Sequence, residues 1–139
     1  MTTTYGSRTS ANRYLADSLA TASPAALVVM LYDRLALDLQ RAEEAQRQGD
    51  RETAHRNLVH AQDIVHELQI GLDTKTWDGA SGLMALYTWL GKELVVANVT
   101  GDADRVAACR TETVEPLADA WRQAALEYFS ASPAANGVA

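Results

Sequence analysis

The sequence predicts an all-α protein, an antiparallel up-down-up-down four-helix bundle with a short N-terminal helical turn. Three observations carry this. Good helix formers dominate, and the three prolines and eight glycines fall mostly between periodic segments. Apolar residues recur at steps of three and four along four stretches, each about 20–26 residues long and joined by short polar links. No alternating strand pattern and no repeat at solenoid period interrupts them.

Each element follows from local chemistry. Residues 1–10 are polar and expected to be disordered, and Asn12 to Ala20 holds Tyr14, Leu15 and Leu19 on one short amphipathic turn. Helix one is predicted from Pro24 to Gln48. Ser23 is a good N-cap, and Pro24 suits the first helical position, where its missing N–H costs nothing. Leu27, Leu31, Leu35 and Ala42 share one face, with Leu39 at its edge. Met30 and Leu37 lie well off that face, and Val29 and Ala36 lie nearly opposite. A helix apolar nearly all round is buried all round or needs a partner. Gly49-Asp50 ends it and caps the next.

Helix two is predicted from Arg51 to Leu72, with the heptad seam Ala54, Leu58, Ala61, Val65, Leu68 and Leu72, widened by Ile64. Helix three, from Ala80 to Val99, has the stripe Leu83, Tyr87, Leu90, Leu94 and Ala97. A second apolar strip, Trp89, Val96 and Val99, lies on its far side. Gly101-Asp102 ends it. Helix four, from Ala103 to Tyr128, turns Val106, Thr113, Leu117, Trp121, Ala124 and Tyr128 one way. Pro116 inside it predicts a bend or break. Ser130 to Ala139 is a small, polar tail expected to fray.

The length predicts one domain over residues 1–139 that can bury roughly 68–70% of its unfolded surface without staples. Cys109 is the sole cysteine, which excludes an intrachain disulfide and fits a reducing cytosol. The N-terminus lacks the basic and apolar regions of a signal peptide, and no apolar run approaches ~18 residues, so no membrane span is expected. Net charge is −6 with no basic stripe, which argues against nucleic acid.

The chemistry-bearing residues do not nominate an enzyme. Glu52 and His55 have the Glu-x-x-His spacing of bundle metal sites, and Asp63 and His66 have a related one. The pairs stand roughly 16 Å apart along one helix and face away from the seam, so they read as solvated histidines. His60 is exposed by the same angular argument and could model a phosphotransfer histidine. Its neighbour Asp63 has the wrong charge for an incoming phosphoryl group. No phosphate loop, nucleophile elbow or activated cysteine is present, and no cofactor is expected.

Several fragments together resemble the FliS family of flagellar export chaperones, over about Tyr14 to Arg122. They are Thr21-Ala22-Ser23-Pro24, Met30-Leu31-Tyr32-Asp33, Ala61-Gln62-Asp63-Ile64 with Glu67-Leu68, Leu72-Asp73, Leu86-Tyr87, Leu94, Ala97-Asn98 and Asp119-Ala120-Trp121. Where the family usually has glycine after Tyr32-Asp33, this chain has Arg34.

The resemblance implies a cytosolic chaperone that holds the disordered C-terminal segment of flagellin as a helix. It also implies prevention of premature polymerisation and delivery to the platform protein of the export gate. The apolar excess on helices one and three fits a helix-in-groove mode. Burying about 1,000 Å² of apolar surface at ~25 cal/mol/Å² gives a gross term near 25 kcal/mol, enough to offset ordering and association. The candidate contacts are Met30, Tyr32, Asp33 and Leu37 on helix one, and Ile64 and Leu68 on helix two. Trp89, Val96 and Asn98 follow on helix three, with Tyr14 and Leu19 as a displaceable lid. The free protein is expected to be a monomer or weak homodimer. The alternative within the binding class is a bundle whose surplus strip pairs with a second copy.

Overall fold

The computed structural model describes residues 24–75 and 77–131. Tyr14, Leu19, the Ser23 cap and most of the polar C-terminal tail lie outside them. The elements are α1 (Pro24–Arg47), α2 (Arg51–Gly71), α3 (Ala80–Thr100), α4 (Ala103–Ala108), a π-helical turn (Cys109–Val114) and α5 (Glu115–Ala131). The last three run on as one rod, so four rods make an antiparallel bundle.

Two of the turns are built alike. Gly49 and Gly101 take left-handed φ of 74° and 69°, which glycine adopts without a side-chain clash. The aspartate after each caps the next helix. Asp50 Oδ1 accepts from the Thr53 N–H and Asp102 Oδ1 from the Arg105 N–H, both at 3.1 Å. These bonds satisfy donors that a helix start otherwise leaves unpaired.

The seams of α2 and α3 lie where the heptads place them. Ala54, Leu58, Ala61, Val65 and Leu68 are buried with Ile64, and Tyr87, Leu90, Leu94 and Ala97 are buried opposite. Leu72 and Leu83 pack against them half-buried.

Helix α1 departs from its expected stripe. Leu35, Leu39 and Ala42 are buried, but so are Tyr32, Asp38 and Ala45, while Leu27 and Leu31 are only half-buried. The reason is its position: α1 packs on α2, on α4, on the π turn and on α5. It therefore buries a wide arc, and none of its large apolar side chains is exposed.

The fourth rod corrects a second expectation. Its buried residues are Val106, Cys109, Val114, Ala118 and Ala125, with Leu117 and Trp121 packed partly against the core. Thr113 is half-buried and Ala124 is exposed. The step of five between Cys109 and Val114 is one residue longer than an α-helical step. The π turn supplies that residue: the Glu115 N–H bonds to Arg110 O, five back. The irregularity expected at Pro116 thus sits in the turn just before it.

Candidate partner-binding surface

Helix α3 carries more apolar surface than the bundle covers. Its inner stripe is used, yet Trp89, Val95, Val96 and Val99 remain exposed, Val99 at 72%. Trp89 and Val96 are seven residues apart, and Val95 and Val99 four, so the side chains form two adjoining rows along about three turns. Lys92 lies among them and is also exposed. Glu93 is turned aside by Arg105, whose Nη1–H donates to it at 2.5 Å.

The register between α2 and α3 extends this face. The Gln69 side-chain amide donates to Thr88 Oγ1 at 3.2 Å, and Asn98 Nδ2–H donates to His55 Nδ1 at 2.9 Å. Those bonds place Val59 of α2, itself 39% exposed, level with Val95. The sequence reading missed Val59 and Val95 because they lie off both seams. The signal that finds them is simply that α3 has two charged residues in 21.

The candidate residues divide into three groups. Trp89 and Val96 are on the exposed face, and Asn98 is at its end, tied to His55. Met30 and Leu37 are half-buried on α1. Tyr32, Ile64 and Leu68 belong to the core, between 0% and 6% exposed, and are not surface residues of this structure. Their apolar bulk fills the space between rods, where the hydrophobic gain is larger than at a rim. Tyr14 and Leu19 lie outside the described residues.

The family-like fragments fasten rods to one another. Tyr32 Oη and Tyr87 Oη share a buried hydrogen bond of 2.6 Å that ties α1 to α3, with ring centroids 6.4 Å apart. Burial pushes both phenols above their ordinary range. The Tyr87 partner pushes Tyr32 further, and the Trp121 indole pulls the other way. Asp33 accepts from Arg122 at 2.6 Å and Asp119 from the same guanidinium at 3.3 Å, tying α1 to α5.

His60 is engaged rather than free. Its Nδ1 meets Oδ2 of Asp38, a carboxylate with no solvent exposure, and Arg34 Nε–H donates to Oδ1 at 3.0 Å. Cys109 is buried, which raises its thiol to about 11 and leaves it a poor nucleophile. Among the described residues no three of His, Cys, Asp and Glu converge, and no helix is long and apolar enough to cross a membrane.

Comparison with known proteins agrees with this architecture. Residues 7–128 match the family model described as flagellar protein FliS. The chain is 32% identical over 111 residues to the flagellar secretion chaperone FliS of Bacillus subtilis (strain 168), spanning 80% of this chain and 82% of the relative. A crystal structure of a bacterial flagellar chaperone shares the fold with a TM-score of 0.69 at 21% identity, covering 87% of this chain and 98% of that one. With its α-helical bundle and a family match over most of its length, this chain belongs to the FliS family of flagellar proteins.

Proposed function

We propose that this protein is a cytosolic chaperone that holds the C-terminal segment of flagellin as a helix along the outer face of α3. The observation that carries this is the exposed double row of Trp89, Val95, Val96 and Val99, continued by Val59. A contiguous apolar face of this kind marks an interaction site. A disordered segment that folds on it loses chain entropy, and apolar burial is the term that offsets the loss. Nothing in this activity requires a cofactor or a covalent step, so the protein acts by binding alone. It then passes its cargo to the platform protein of the export gate.

Titration calorimetry with a flagellin C-terminal peptide tests this. Trp89→Ser with Val96→Ser should weaken binding at least tenfold, since each removes about 1.5–3 kcal/mol of potential burial, while the melting curve stays within a few degrees of wild type. Undiminished affinity would move the site off α3. Tyr14, on the turn ahead of α1, is proposed to act as lid and contact together, so Tyr14→Ala should also weaken the peptide. Unchanged affinity would remove Tyr14 from the site.

The same exposed rows favour one second reading, pairing of α3 faces between two copies about a two-fold axis. Sedimentation of the free protein separates the two: a stable dimer that peptide does not dissociate would support pairing.

A further inference from the structure

A polar cavity of about 550 Å³ opens at the end of the apolar face, between the two glycine-aspartate turns. Gly49 and Gly101 form its floor edges, and Arg51, His55, Asn98 and Thr100 line it. In a chain with 18 acidic and 12 basic residues, no carboxylate is among the lining residues. The aspartates of the two turns are occupied elsewhere. Asp50 caps α2, and Asp102 caps α4 and meets Arg105 Nε at 3.5 Å. Glu52 follows Arg51, but lies roughly 100° further round the helix.

The donors face an opening. Arg51 makes no ion pair among the described residues. Because Asn98 Nδ2 can only donate, His55 Nδ1 must accept, which puts the ring proton on exposed Nε2. The cavity is also continuous with the exposed rows, since Thr100 and Gly101 follow Val99 directly. From Trp89 to Thr100 a helix rises about 16 Å, three turns. A partner helix lying parallel to α3 along those rows therefore ends over the cavity.

A helix that ends a chain brings unpaired carbonyls and a carboxylate to one place, and both need donors. We infer that the cavity lined by Arg51 and His55 receives the C-terminal carboxylate of the bound segment, fixing its direction parallel to α3. This rests on the reading of α3 as the flagellin-binding face and adds the polarity and register of the cargo. The apolar rows supply affinity without direction, and the charged end supplies the direction.

The test compares one flagellin C-terminal peptide made as the free acid and as the C-terminal amide. On the wild-type protein the amide should bind about fivefold more weakly at low salt, the size of one well-placed exposed ion pair. The gap should close at about 1 M salt, where the screening length falls to roughly 3 Å. On Arg51→Gln, acid and amide should bind alike, at the affinity of the amide on wild type. His55→Ala gives a second variant should Arg51→Gln melt early. Equal binding of acid and amide to the wild type overturns the inference while the α3 face stands. Weakening of both peptides equally by Arg51→Gln overturns it too, in favour of an acidic side chain. If neither peptide binds the wild type, the reading of α3 as the flagellin site falls, and the inference with it.

Discussion

Asp38 is the one charged residue with no exposure among the described residues, and its two partners sit on different rods. Arg34 is one turn earlier on α1, at the position where FliS sequences usually carry glycine. His60 is on α2, and both cations keep half their side chains in solvent. The arrangement is asymmetric: the anion is buried and the cations are not. Removing the anion lets the cations rehydrate, whereas removing the cations strands a buried carboxylate. Urea melts of two variants check this. Asp38→Asn should cost about 1 kcal/mol, a hydrogen-bond change only. Arg34→Ala with His60→Ala should cost about 3 kcal/mol or more. The opposite order would show that the carboxylate is not dependent on its partners. The histidine that sequence logic weighed for phosphotransfer thus has a structural task, clamping α1 to α2.

At the scale of the element, the π turn requires an anchor, because i to i−5 bonding is intrinsically less favourable than the α-helical ladder. Arg110, in the middle of the turn, supplies it. Its Nη2–H donates to Glu43 on α1 at 2.9 Å, and its Nη1–H reaches Glu115 at 3.4 Å. Glu43 is also bonded by Arg47 at 3.0 Å. Arg110 first, and Arg47 with it, hold the Glu43 carboxyl below its ordinary value of 4.5. A carboxyl depressed in the folded state contributes stability above its unfolded value and loses it as pH falls through the folded one. Glu43→Gln should therefore cost about 1 kcal/mol at pH 7. The difference from wild type should shrink below pH 4.5 as the wild-type carboxylate titrates. A constant difference in urea melts down to acid pH would mean that packing, not charge, anchors the turn.

The whole molecule sorts its apolar excess by position. Helices α1 and α3 both carry more apolar surface than one face can hide. Helix α1 is surrounded, touching three of the other helices and the π turn, so its excess becomes core. Helix α3 packs on α2 and α4 only among its substantial contacts, so its excess stays outside. The Tyr32–Tyr87 bond spans these two rods through the interior, and both phenols are held neutral by burial. A raised phenol contributes stability that is present below the unfolded value, near 10, and lost as pH rises above it. Tyr87→Phe should cost about 1–2 kcal/mol, because it leaves the Tyr32 hydroxyl without its partner. It should also reduce the loss of stability between pH 9 and 11. An unaltered alkaline limb in denaturant melts would place that bond outside the cooperative core.

The sequence by itself determined the helical class, three of the four rod boundaries to within a residue or so, and the seams of α2 and α3. These depend on local chemistry: a left-handed glycine followed by a capping aspartate, and apolar steps of three and four on a regular helix. It also marked Trp89, Val96 and Val99 as surplus to the core. Tertiary structure alone decided which surplus stays exposed, because that depends on how many neighbours a rod has. Leu37 is therefore half-buried on crowded α1, while Val96 remains open on α3. It also decided the facing of the fourth rod, where one extra residue in the π turn rotates everything after Cys109 by most of a quarter-turn or more. Asp38 was out of reach for the same reason. A lone carboxylate on an apolar face carries no mark of burial until Arg34 and His60, 22 residues further along, are folded against it.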